Sequence, residues 1–333
     1  MSIRTIALFA AALAATPVHA QSDSSPAPQP IVWDLIDEYP ATAIPGEADA
    51  FFAEAARRLT SGRVIINTIP DAKSGLRTRE QLKAVTEGRH AMANTLAGAL
   101  ADESPVFLLS SLPFVTRSAA DARALAAAAM PLYDKLFAER KQKILFITPW
   151  PPSGIWSAKP VDSTDALRAL KVRTYDKGGT DLFAQVSSAA SVVSFSDLPG
   201  KLDSGEINAV LSSGDGGAAR KLWTHLQNFA EITYAVPLSF GTVSLEAFNK
   251  LDAGDRALIE QAGRETTERQ WAAMAGRVAR NYTTMRDNKV AIDEKPPAAV
   301  MDALRAAAAK SVAEWRAKAG ADAAALLDAR MKR

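Results

Sequence analysis

The order of apolar and polar positions after residue 30 switches repeatedly between a period of two and a period near 3.6. Residues 31–36, 63–69 and 144–148 are short apolar runs rich in Ile and Val and read as strands. Between them, residues 46–59, 78–87 and 119–137 keep helical spacing, and 90–96 is a short apolar segment. Such alternation predicts a mostly parallel sheet covered by helices. Pro149-Trp150-Pro151-Pro152-Ser153-Gly154 then interrupts the pattern, because proline fixes the chain and removes donors, and it reads as a crossing between two lobes. A second α/β series follows, through Arg173, Phe195 and Leu211 to about Tyr234.

No proline occurs between Leu251 and Pro296, and Leu258, Ile259, Ala262, Trp271, Met274, Val278, Tyr282 and Met285 keep helical spacing. A helix of roughly thirty residues would be about 45 Å long at 1.5 Å per residue, more than one lobe usually needs. It is either a brace across two lobes or an ordinary long surface helix. The Ala-rich tail, residues 297–333, reads as helical, with Met301, Leu304, Val312 and Trp315 on one face, and is expected to pack on the second lobe.

The start of the chain follows a different logic. Arg4, an apolar run over residues 5–15 and Val18-His19-Ala20 read as a secretory signal peptide, 1–20, cleaved after Ala20. The run is too short to span a bilayer, which takes about 20 apolar residues. Residues 21–30, rich in Ser, Pro and Gln, read as a flexible leader. With no cysteine there is neither a disulfide nor a site for a lipid anchor, so a periplasmic location is expected. Stability must come from the core, and the chain is long enough for two packed lobes. The 39 basic and 37 acidic residues nearly cancel, giving no electrostatic reason to expect nucleic acid.

Candidate chemistry concentrates in residues 165–183, which read as a short helix N-capped by Thr164, a strand 171–174, a Gly178-Gly179 turn and a second helix. The carboxyl end of such a strand points into the crevice where open α/β sheets bind ligands. Arg173 sits there, and a guanidinium presents a planar fork that matches a carboxylate. An enzyme is not indicated. His90 and His225 lack metal-ligand spacing, there is no H-E-x-x-H, and no serine stands in a G-x-S-x-G elbow. Gly214-Asp215-Gly216-Gly217-Ala218-Ala219 fits the dinucleotide pattern G-x-G-x-x-A, with Glu231 some fifteen residues on, but it lies deep in the chain; a hinge or loop is the simpler reading and no cofactor is expected.

Leu170-Lys171-Val172-Arg173, then Val193-Ser194-Phe195-Ser196-Asp197-Leu198, then Leu202-Asp203-Ser204-Gly205-Glu206-Ile207-Asn208-Ala209, resemble the solute-binding proteins of tripartite ATP-independent periplasmic (TRAP) transporters, the DctP-type family. The resemblance implies an α/β, two-lobed periplasmic-binding-protein-like fold with a long helix spanning both lobes. Lobe I would be 31–149 with 238–277 returning to it, and lobe II 150–237 with 278–333. It implies a non-enzymatic monomer that captures an organic acid and hands it to TRAP membrane permease subunits. Arg173 would hold the carboxylate and Phe195 pack on the ligand.

The sequence departs from the family where a second basic contact is usual, because Ser153-Gly154-Ile155-Trp156 stands in that region. Ser212 occupies the place of the usual asparagine. Trp150 and Trp156 offer ring surface for a hydrophobic carboxylate, or pack in the core. Arg77 and Arg79 offer charge from the opposite wall, or are solvated. A binding protein of another importer, a sensor and a secreted enzyme remain the alternatives.

Overall fold

The computed structural model describes residues 29–331, so the expected signal peptide and most of the leader lie outside the described residues. In chain order the first half comprises β1 (Ile31–Asp37), α1 (Ile44–Leu59), β2 (Val64–Ile69), α2 (Thr78–Thr86), β3 (Met92–Leu96), α3 (Ala119–Glu139) and β4 (Gln142–Pro149). Next come β5 (Ser153–Ser157), α4 (Thr164–Arg168), β6 (Lys171–Thr174), α5 (Lys177–Phe183), β7 (Ala189–Val192), α6 (Leu198–Asp203), β8 (Ala209–Ser213), α7 (Gly214–Ala219) and β9 (Asn228–Ala230). The chain ends with β10 (Leu238–Ser244), α8 (Leu245–Asn249), α9 (Ala253–Asp287), β11 (Ala291–Asp293), α10 (Ala298–Lys318) and α11 (Ala321–Met331).

The strands form two sheets, β2-β1-β3-β10-β4 in lobe I and β11-β9-β5-β8-β6-β7 in lobe II. β1, β2 and β3 run parallel, whereas the returning β10 is antiparallel to both β3 and β4. The lobes are joined by two neighbouring crossings. Trp150 N donates to Pro237 O at 2.8 Å and Ser153 N to Ala235 O at 3.0 Å, so the proline-rich segment runs beside the segment that returns to lobe I.

Local chemistry explains the boundaries. Ser163, not Thr164, caps α4 by accepting from Ala166 N at 3.1 Å. Gly178 and Gly179 lie inside α5 instead of forming a turn, because the Asp176 carboxylate accepts from Gly179 N and starts the helix there. Asp252 caps α9 in the same way, and 35 residues follow without a break.

That helix is about 50 Å long at 1.5 Å per residue and touches both lobes. Near its start, Gly263 lies so close to β4 that a Cβ there would stand 2.0 Å from the Leu145 carbonyl oxygen. Near its end, Met285, Asn281 and Tyr282 pack on Gly214 of α7. The brace thus rests on a glycine at each lobe, where a side chain would hold the elements apart. In the tail, α10 packs against α4 and α5, whereas α11 lies on α3 in lobe I. Among the described residues no helix is long and apolar enough to cross a membrane.

Candidate functional site

The carboxyl ends of β1 and β6 face each other across the cleft. Beyond β1, Asp37 Oδ1 accepts from Tyr39 N at 2.9 Å, a tight Asx turn. The Tyr39 ring meets Trp150 at 4.6 Å and Phe195 of lobe II at 4.7 Å between centroids. From the other side β6 delivers Arg173, which is only 2% exposed.

Arg173 Nε donates to Val193 O at 2.8 Å and Nη1 to Leu211 O at 3.4 Å. Backbone carbonyls hold its position, but it makes no ion pair with any described residue. Burial lowers its pKa from the ordinary arginine value, while the fields of Tyr39, Glu38, Tyr175 and Asp176 oppose the shift. An interior cation left with neutral acceptors is costly unless an anion joins it.

Its free edge faces a small pocket between the lobes. Tyr39 and Leu96 line it from lobe I, Trp150, Ser153 and Pro237 from the crossings, and Tyr175, Phe195 and Ser212 from lobe II. One half of this wall is apolar and ring-shaped, and the other half carries hydroxyls. The arrangement suits a flat carboxylate with one or two further hydrogen-bonding groups. Beside Arg173 a second small space is lined by Glu38, Thr78, Arg79 and Ser194.

Of the residues singled out in the sequence, Arg173, Phe195, Ser212 and Trp150 therefore meet at one cavity. Phe195 is held on Arg173 at 6.0 Å and on Arg220 at 4.9 Å from its ring centre. Trp150 is anchored by its indole N–H, which donates to Ser239 Oγ at 2.9 Å. Trp156 is not brought there. It is wholly buried in lobe II, donates to Ser213 O at 3.2 Å and stacks over Gly217, where a Cβ would lie 2.0 Å from its ring.

Trp156 also disposes of the dinucleotide pattern. Gly217 makes room for the indole, and a Cβ on Gly216 would stand 2.4 Å from Ser212 Oγ, so both glycines serve packing. Arg77 lies on the rim, paired with Asp197 of lobe II at 2.7 Å. Arg79 lines the second space without an ion pair. His90 and His225 lie away from the cavity, and no cluster of metal-ligating side chains occurs among the described residues.

Sequence reasoning missed Tyr39, Tyr175 and Arg220. The first two follow the carboxyl ends of β1 and β6, the same signal that pointed to Arg173, and were accessible in principle. Arg220 pairs with Asp71 across the lobes at 2.7 Å, a meeting with no local signature.

Comparison with known proteins gives this geometry a context. The model of the DctP family, described as bacterial extracellular solute-binding protein, family 7, matches residues 38–318. DctP7 of Bordetella pertussis, an extracytoplasmic solute receptor binding pyroglutamic acid, superposes with a TM-score of 0.86 at 26% identity, covering 90% of this chain and 99% of that one. A TRAP solute-binding protein from a marine metagenome, specific for pyroglutamate, gives 0.86 at 26% identity over 92% of this chain and 100% of that one.

A Chromohalobacter salexigens TRAP protein with bound D-glucuronate gives 0.82 at 18% identity over 90% of this chain and 99% of that one, a likeness of fold alone. Among curated proteins, the outer membrane transporter protein TsaT of Comamonas testosteroni is 29% identical over 147 residues, 43% of this chain. The match spans 41% of TsaT, about two fifths of that relative's length.

Proposed function

This chain belongs to family 7 of the bacterial extracellular solute-binding proteins, the DctP family, and from that premise we infer that it is a TRAP-type receptor that closes its two lobes on a small organic carboxylate and delivers it to membrane permease subunits. The observation that supports this most directly is Arg173, a buried cation with no anion of its own, facing a pocket between the lobes. The family and its structural neighbours are receptors, not enzymes.

Pyroglutamate is the first ligand to test, because two relatives at 26% identity bind it. Its carboxylate would take the Arg173 fork, its five-membered ring would lie between Phe195 and Trp150, and its lactam would meet the hydroxyls of Tyr39, Tyr175 or Ser212. Exported through residues 1–20 and processed after Ala20, the mature protein would begin at Gln21. Sequencing the N-terminus of periplasmic material reads this directly, and an intact Met1 there rejects it.

The binding reading is tested by calorimetry on wild type, Arg173→Ala and Arg173→Lys with pyroglutamate and a panel of carboxylates. Removing one partner of a buried, hydrogen-bonded charge pair costs about 2 to 5 kcal/mol, roughly 30-fold to several thousand-fold in Kd at about 1.4 kcal/mol per tenfold. Lysine keeps the charge but loses the planar fork, so it should restore only part of the affinity. Pyroglutamamide should bind wild type poorly and lose little more in the alanine variant. A folded alanine variant within threefold of wild type rejects Arg173 as the anchor.

A further inference from the structure

Glu38 lies between Asp37, which sets the β1 turn, and Tyr39, which walls the cavity. It is 1% exposed, and no described cation pairs with it. Its carboxylate is held by neutral donors from both lobes. On the lobe I side, Oε2 accepts from Thr78 N at 2.7 Å and from Thr78 Oγ1. On the lobe II side, Oε1 accepts from Ser196 N at 3.0 Å and Ser196 Oγ at 2.9 Å. One oxygen thus belongs to each lobe.

Thr78 opens α2 and remains beside Glu38 whatever the lobes do, because both belong to lobe I. Ser196 comes and goes with lobe II. When the cleft opens, Oε1 must exchange two protein donors for water, and when it closes a carboxylate is desolvated in the same step. That exchange is favourable only if both donors arrive aligned, since a buried charge with a missing donor is penalised more than a neutral group. The latch therefore discriminates a fully closed cleft from a nearly closed one.

The neighbours on each side are the cavity walls. Tyr39 follows Glu38, Phe195 precedes Ser196, and their rings meet at 4.7 Å. Fixing Oε1 on Ser196 fixes this ring pair, and with it the Phe195 face over Arg173. The Arg77–Asp197 pair lies just outside, but its side chains are 38% and 44% exposed, so water screens it. The buried Glu38 contact has no such screening.

We propose that Glu38 is a positioning residue whose hydrogen bonds to Ser196 hold the cleft shut over the bound carboxylate and set its rate of escape. This rests on the reading of Arg173 as the carboxylate anchor. The effect falls on dissociation because the bonds form only after the lobes have met. Glu38→Gln keeps shape but turns an amide N–H₂ toward donors of one lobe. Ser196→Ala removes one lobe II donor to Glu38 and alters no residue of lobe I, while Ser196→Thr keeps the hydroxyl.

The test is stopped-flow release of L-pyroglutamate, paired with double electron–electron resonance. The full mature chain has no native cysteine, so spin labels go on Lys83→Cys in α2 and Asp165→Cys in α4, both on exposed side chains. Relative to wild type, koff should rise about tenfold or more in Glu38→Gln, on the scale of lost bonds to a charged acceptor. It should rise several-fold in Ser196→Ala and return toward wild type in Ser196→Thr, with kon within about threefold throughout.

The melting temperature of ligand-free Ser196→Ala should equal wild type, which a merely structural role in lobe II would not allow. Unchanged koff in both Glu38→Gln and Ser196→Ala, with tight binding retained, overturns the latch and leaves Arg173 in place. If wild type binds no carboxylate, the functional reading fails, and the ligand-free distance distributions decide the latch. A short-distance component that shrinks in Glu38→Gln and Ser196→Ala supports it, and identical distributions overturn it.

Discussion

Two buried arginines, one in the cleft and one under the brace, differ in a way that separates binding from architecture. Arg277 of α9 is 7% exposed and pairs with Asp215 of α7 and Glu47 of α1, while its Nη2 donates to Thr42 O at 2.6 Å. Asp215 in turn accepts from Ile44 N at 2.8 Å and Asn281 Nδ2 at 3.3 Å. This cluster is complete: two anions and a carbonyl for one cation, drawn from both lobes and the helix that joins them. Arg173 is as deeply buried but has only carbonyls. A cation with internal anions holds the fold together, whereas one without them waits for an anion from outside.

The largest effects break the comparison most plainly. Asp215→Ala strands the buried Arg277 and leaves Ile44 N without its acceptor. Breaking a buried pair costs about 3 to 5 kcal/mol, and since Glu47 remains, the lower end is expected, a fall in melting temperature of about 5 °C or more. Arg173→Met should behave oppositely. It removes a desolvated charge and leaves the Val193 and Leu211 carbonyls unpaired, so ligand-free stability should stay within about 1 to 2 kcal/mol of wild type while binding is lost. Differential scanning calorimetry reads both. If Arg173→Met destabilises as much as Asp215→Ala, Arg173 is architectural and the contrast is empty.

Only one of these arginines was legible in the sequence. Arg173 lies on a strand whose bounds, residues 171–174, follow from the pattern, and the position of a strand's end in an α/β series says where a ligand sits. Arg277 sits on a long helix whose spacing reveals its apolar face and length but not that Asp215, 62 residues away, supplies its anion. Trp150 and Trp156 mark the same limit. Trp156 stands on β5, which is buried on both faces, so alternation carries no information there, and Trp150 stands in the proline-rich crossing just before it, where there is no alternation to read. The Gly214 to Ala219 pattern misleads for a related reason: Gly214 answers to Met285 of α9 and Gly217 to Trp156, both remote in sequence.

The smallest expected effect sharpens the contrast by asking why Arg173 has no internal partner. Asp176, three residues on in the same lobe, acts on Arg173 through its field but makes no ion pair with it. Its Oδ1 caps α5 through Gly179 N at 2.8 Å, and its Oδ2 presses on lobe I, where a Cβ added to Gly98 would stand 2.3 Å from it. Burial raises its pKa to about 6, opposed by Gly179 N–H, Ser111 and Arg173 and assisted by Asp181. Tyr175 and Tyr234 also face it, both pushed upward by burial and by Asp176 itself, so they stay neutral.

Opening the cleft would return Asp176 to water and to the ordinary range near 4. A carboxyl whose pKa is raised by closure favours the closed state when protonated. The favour is full below the open-state value and disappears as pH rises through about 6. Pyroglutamate affinity should therefore fall about tenfold from pH 5 to pH 8, since one proton linked over one pH unit is worth one decade. Asp37 and Asp49 also carry raised pKa values, but burial within lobe I, and for Asp37 the neighbouring Asp49 of the same lobe, are the causes. Asp176→Asn keeps the helix cap and removes the titration, so its affinity should be nearly flat over that range. A slope that survives in the asparagine variant assigns the linkage to another group and removes Asp176 from the account of why Arg173 stands alone.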